Sequence, residues 1–100
     1  MDRYATSFIK PECPKFIAGN LSITSNAKSQ MSHEDILIAL KRHMLGDWGE
    51  LDNEDKAANE AALKEGGRLV SRYTSASGVP FYVITEADRS LTTFLLPEDY

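Results

Sequence analysis

The stretch densest in chemically useful groups is Thr85, Glu86, Asp88, Arg89, Ser90, Thr92 and Thr93, seven polar residues within nine positions. Glu86 or Asp88 is the type needed for general acid–base work, Arg89 for holding an anion, and the threonines for hydrogen bonding. His43, or Asp47 four positions after it, would complete a hydrolytic set if the fold brought them to one place. The same residues also make a plain turn. Asp88 and Ser90 fit an Asx-type turn, Arg89 fits pairing with a local carboxylate, and Thr92 and Thr93 are β-branched residues suited to a strand. Both readings stand at this point.

Other chemistry is poorly provided for. Two histidines ten positions apart and one cysteine in a separate segment lack zinc spacing, so no metal is expected. The run Asp47…Asp52-Asn53-Glu54-Asp55 lacks the spacing and central glycine of a calcium loop. Gly46-x-x-Gly49 and Gly66-Gly67 are too short to cradle a phosphate, and no nucleophile signature is present, so no cofactor is expected. His43 closes a helical stretch and also reads as a cation on the helix dipole. His33 reads as a solvated first-turn residue. Cys13, between Pro11-Glu12 and Pro14, reads as an inert thiol. Trp48, between two glycines, is either a core plug or, if exposed, a binding anchor.

The elements that must position these residues are legible from periodicity. Residues 1–15 read as an extended arm, and residues 16–100 as one α+β domain. Phe16 to Ile23 reads as a strand, with Ile17, Gly19, Leu21 and Ile23 on one side. Gly19 marks a bulge or a close backbone approach. Thr24 or Ser25 caps a short helical turn. Ser32 caps a helix whose Ile36, Leu37, Leu40 and Met44 form an apolar stripe, and Gly46 ends it. Asp52 caps a second, alanine-rich helix stopped by Gly66-Gly67; its small residues suit close packing on a sheet. Arg68–Thr74, Val79–Thr85 and Leu91–Leu96 alternate at period two, with short loops that dictate antiparallel pairing. The expectation is an antiparallel sheet of three to four strands with two main helices on one face. Phe81, Tyr82, Val83, Ile84, Leu91, Phe94, Leu95 and Leu96 make two of these strands apolar on both sides. A sheet-to-sheet homodimer would cover the spare side.

Composition bounds the rest. The chain has 100 residues and 42% hydrophobic content, enough for one small core. No apolar run approaches the roughly 20 residues of a helical membrane span, so no membrane contact is expected. One cysteine and no export-type start fit a cytoplasmic protein. The net charge is −4, and residues 46–65 alone hold seven acids against two lysines. An acidic chain without a basic run is a poor binder of a nucleic-acid backbone. It suits a solvated helix face or a basic protein surface.

Gly46-Asp47-Trp48-Gly49, Asn59-Glu60, Leu63-Lys64-Glu65-Gly66 and the run Ile84-Thr85-Glu86-Ala87-Asp88-Arg89-Ser90-x-Thr92-Thr93-x-Leu95-Leu96-Pro97-Glu98-Asp99-Tyr100 carry a resemblance. With Arg42-His43 and Gly19-x-Leu21-x-Ile23-Thr24-x-x-Ala27, the chain from about residue 16 onward resembles a family of small proteins of bacterial genomes and plasmids. Some of its members carry labels such as plasmid-related or type I restriction accessory protein. The resemblance implies a mobile-element setting and no reaction. The expected function is a small, non-enzymatic protein-binding module that docks onto a host nucleic-acid defence complex, of restriction or CRISPR type. Its contact residues would be Asp47, Trp48, Asp55, Asn59, Glu86, Asp88, Arg89 and Thr92. The alternative is a small hydrolase or nuclease-like enzyme using His43, Glu86, Asp88 and Arg89.

Overall fold

The computed structural model describes residues 13–100. Strand β1 (Asn20–Ile23) is followed by helices α1 (Ser25–Gln30), α2 (His33–Met44) and α3 (Asn53–Glu65). Strands β2 (Leu69–Thr74), β3 (Pro80–Thr85) and β4 (Leu91–Leu95) and a 3-10 turn at Pro97–Asp99 complete the chain. The expected arm over residues 1–15 lies largely outside the described residues; its described end is tied down by Lys15 N donating to Met44 O at 2.8 Å.

Each helix begins where a side chain satisfies an orphan amide. Thr24 Oγ1 accepts from Ala27 N at 3.1 Å. Ser32 and Asp35 form a reciprocal capping box at 3.0 and 3.1 Å. Asp52 Oδ1 accepts from Asp55 N at 2.8 Å. Pro80 is the first residue of β3, where its missing N–H costs no ladder bond.

The sheet runs β1-β4-β3-β2 and is mixed. β2 pairs antiparallel with β3, and β3 antiparallel with β4. β1 lies parallel to β4, which corrects the expectation of an antiparallel sheet. Short loops dictate direction only between the last three strands; three helices and two strands separate β1 from β4, so no local rule applies to that pair. The first strand is also shorter than expected. Gly19 takes φ +68° and turns the chain just before it, and a Cβ there would come within 2.5 Å of the Arg89 carbonyl oxygen. It is a close backbone approach, and Ile17 and Leu21 face solvent.

One face of the sheet carries Leu69, Ser71, Tyr73, Phe81, Val83, Thr85, Thr92 and Phe94. Helices α1 and α2 cover it: Ala27, Met31 and Ala39 pack with Tyr73, Phe81, Val83, Phe94 and Leu96. Full burial of a ring such as Phe81 or Phe94 stabilises the fold by about 2 kcal/mol. The expectation of two main helices on this face is corrected for α3, which meets the sheet along the β2 edge. Ala57, Ala58 and Ala61 are exposed, and the buried residue of α3 is Asn59. An alanine-rich helix has too little apolar area to drive it onto the face, so a polar contact places it instead. Asn59 Nδ2 donates to Val70 O at 2.7 Å, and its Oδ1 accepts from Val70 N at 3.1 Å. The amide stands in for a neighbouring strand.

The next outward-facing pair on that edge is satisfied by the loop before α3. Arg72 N donates to Trp48 O at 3.2 Å, and Glu50 N donates to Arg72 O at 2.7 Å. The β2 edge is thereby closed to foreign strands. Gly49 permits this, with φ +77° and no Cβ to collide with the Arg72 carbonyl oxygen. Gly49→Ala is expected to cost about 2 kcal/mol, read as a lower urea midpoint, because it combines backbone strain with displacement of the edge. An unchanged midpoint would show that the loop does not hold the edge. On the opposite face, Ile84 and Leu95, two of the side chains that prompted the expectation of a sheet-to-sheet contact, are already buried. Among the described residues, the exposed large apolar side chains are Ile17, Leu21, Leu37, Ile38 and Tyr100.

Candidate functional site

His43 is fully buried, at 0% exposure, beneath the β2–β3–β4 face. Its Nδ1 lies 2.6 Å from Ser71 Oγ and its Nε2 lies 2.9 Å from Thr85 Oγ1. Thr85 Oγ1 lies 2.6 Å from Thr92 Oγ1, which donates to the Ala18 carbonyl at 2.8 Å. That carbonyl can only accept, and this orders the whole series. Thr92 spends its proton on Ala18, so it accepts from Thr85. Thr85 in turn accepts from His43, which must carry its proton on Nε2. Nδ1 then accepts from Ser71. Every buried polar atom in this series is satisfied by a neutral ring. Burial, and secondly the positive charge of Arg89, bring the imidazole down to a pKa of about 4. Phe16 packs edge-on to His43 at 5.1 Å, and Trp48 packs on it at 5.8 Å, closing the ring off from water.

Arg89 sits at φ +62°, a conformation that costs a non-glycine residue roughly 1 kcal/mol or more. Its guanidinium repays that strain. Nη1 donates to the carbonyls of Gly67, Glu86 and Ala87 at 2.5, 3.1 and 3.2 Å, and Nη2 donates to Ala62 O at 3.2 Å. The residue therefore caps the C-terminal end of α3 and pins it to the β3–β4 hairpin. Pairing with a local carboxylate is corrected to pairing with carbonyls, and it is Arg68 that reaches Glu86, at 3.2 Å. Asp88 accepts from Ser90 N and Oγ at 3.0 and 2.6 Å, the expected Asx turn, and these bonds hold its carboxyl below the usual range. Arg89→Ala is expected to lower stability by about 2 kcal/mol, measured by urea unfolding, through the loss of charge-assisted bonds to carbonyls. A variant as stable as the parent would show these bonds to be idle.

The four residues of the hydrolytic alternative are thus not gathered into a cleft. His43 and Arg89 are near neighbours, but the Phe16 ring lies against both, 5.8 Å from the guanidinium. Glu86 and Asp88 turn to the surface, each engaged by its own partner. Among the described residues, no group of three or more His, Cys, Asp or Glu side chains is placed to hold a metal ion.

The other expected contact residues divide in the same way. Asp47 binds Arg42 Nε at 2.7 Å and Gly49 N at 3.2 Å, and its carbonyl accepts from the Tyr73 hydroxyl, so it shapes the loop. The bond from Arg42 holds its carboxyl low. Trp48 is a core plug at 4% exposure, with Nε1 donating to Glu60 at 2.8 Å. Asn59 and Thr92 serve the edge and the buried series. Asp55 and Asn59 line a concavity, a cleft of about 320 Å³ between α3 and the second sheet face, and of the two Asp55 is the exposed one. Leu51, Ala58, Val70 and Tyr82 line it with Arg68 and Tyr100. Tyr100 is placed there by Asp99, which accepts from Thr24 Oγ1 at 2.6 Å, Asn26 Nδ2 at 2.8 Å and Leu96 N at 3.1 Å. These bonds keep the Asp99 carboxyl below its ordinary value. The rings of Tyr82 and Tyr100 lie 5.7 Å apart at 47°. Sequence reasoning missed Tyr82, Arg68 and Tyr100 as a set, because one is in mid-strand, one at a strand end and one after the sheet.

No helix of the described residues is long and apolar enough to cross a membrane. No family model, no curated protein and no solved structure matches this chain.

Proposed function

We propose that this chain is a non-enzymatic protein-binding module whose contact surface is the cleft between α3 and the sheet. The observation that carries this reading is how the reactive groups are employed. His43, Asp88, Arg89, Thr85 and Thr92 are each hydrogen-bonded to other groups of the chain, Asp88 at the surface. A general base must reach a substrate proton, and a ring enclosed by Phe16, Trp48, Ser71 and Thr85 does not. The cleft, by contrast, offers aromatic and charged side chains to solvent on a closed, well-paired scaffold. Tyrosine and arginine are the residue types that most often anchor protein contacts. The resemblance to mobile-element proteins makes a host restriction complex the first partner to try.

The test is affinity capture from a bacterial lysate containing a type I restriction complex, with the parent chain and a Tyr82→Ala/Asp55→Ala variant run in parallel. A protein retained by the parent and lost by the variant supports the reading. Identical retained sets overturn it. Arg89→Ala is unsuitable as a probe of catalysis here, because it loosens α3 whatever the function.

A further inference from the structure

We infer that the cleft takes the guanidinium of an arginine presented by the partner protein, an inference that rests on the protein-binding reading above. The argument begins with the charges that line it. Arg68 is drawn to Glu86, with Nη2 and Nε at 3.2 and 3.4 Å from Oε1, so its charge is balanced. Asp55 receives no side-chain partner among the described residues; its recorded bond is the backbone N–H donated to Asp52. The uncompensated charge of the cleft is therefore negative. Asp52 and Glu54 stand on the same helix start and add to it. Lys56 in the same turn and the α3 dipole oppose this with about one and a half positive charges together, which three carboxylates still outweigh.

The walls agree with the charge. A tyrosine ring presents a negative face, which attracts a cation placed over it. Tyr82 is half-buried and Tyr100 is 71% exposed, and the two rings open from each other at 47°. A flat guanidinium can lie on the free ring face while its N–H edge reaches a carboxylate. A compact, strongly hydrated ammonium does this less well, so arginine is favoured over lysine. Val70 and Ala58 add apolar lining suited to the methylene stem. Arginine presented on a protein also matches the wider field, since residues 46–65 carry seven acids against two lysines and attract a basic surface.

The experiment titrates the isotope-labelled chain with three capped pentapeptides, Gly-Ser-Xaa-Ser-Gly with Xaa arginine, citrulline or glutamate, and follows the signals of Asp55, Tyr82 and Tyr100. The arginine peptide is expected to shift these signals saturably, and the citrulline peptide to bind at least about tenfold more weakly, the loss of one charge-assisted contact. Asp55→Asn, which keeps the side-chain shape, is expected to weaken arginine binding at least about fivefold while the fold persists, its melting temperature within a few degrees of the parent's. Equal binding of arginine and citrulline overturns the inference, as does stronger binding of the glutamate peptide beside Arg68. Absence of any saturable shift overturns it too. None of these outcomes touches the capture result, so failure of the arginine assignment and failure of the protein-binding reading are told apart.

Discussion

His43→Ala is expected to remove about 4 kcal/mol of unfolding free energy, the largest effect of any single change considered. Two contributions add. Ser71 loses the acceptor for its buried proton and Thr85 loses its donor, and a buried polar group left without a partner costs about 1–3 kcal/mol. The missing ring also leaves a void among Phe16, Trp48 and the sheet, which carries its own packing cost of about 1–2 kcal/mol. For a domain of this size, a loss near 4 kcal/mol lowers the melting temperature by roughly 20 °C. Thermal unfolding followed by circular dichroism measures it. A shift of only a few degrees would mean that the buried series contributes little and that the hydroxyls find other partners.

The second large effect needs no mutation. Lowering the pH from 7 to 4 is expected to cost about 3 kcal/mol through His43 alone. In the unfolded chain the ring titrates near its ordinary 6.5, whereas in the fold it stays neutral down to about 4. Above pH 6.5 neither state binds the proton, and the stability is whole. Between 6.5 and 4 the unfolded chain takes up a proton that the folded chain refuses, so stability falls as pH falls, at about 1.4 kcal/mol per unit. Below 4 both states are protonated and the loss is complete. Asp35, Asp47, Asp88 and Asp99 also have lowered values, but from an ordinary 3.8, so their contributions disappear in a more acid window. Urea midpoints at pH 7.5 and 4.5 separate the two. His43→Gln, whose amide both donates and accepts, is expected to flatten the upper window. A parent midpoint that does not move between those pH values would contradict the buried neutral ring.

The same buried series explains why the polar hairpin looked like a reaction centre. Thr85 and Thr92 are hydrogen-bonding residues, as their types suggested, but they bond inward to His43 and Ala18. Asp88 and Ser90 make the Asx turn that their spacing implies. Arg89 has the charge to hold an anion and holds carbonyl oxygens instead, the negative ends of peptide dipoles. Residue type announced a hydrogen-bonding role in each case; the identity of the partner came from elsewhere in the chain.

Local features were decided by neighbouring residues and could be read directly. The Ser32 and Asp52 caps, the helix after each, the stop at Gly66 and the three strands from Leu69 to Leu95, joined by short loops, are marked by residues close together in the chain. Their signals, caps, stops, period-two alternation and short loops, lie within a short stretch of chain, although the stability of each element comes from packing against the others. The parallel seat of β1, the placement of α3 by Asn59, the bonds of His43 to residues 28 and 42 positions later, and the meeting of Asp55 with Arg68, Tyr82 and Tyr100 are different in kind. They exist because burying the α1–α2 face and pairing both outward-pointing groups of the β2 edge select one global arrangement. No window of sequence contains both sides of those contacts, so only the tertiary structure could decide them.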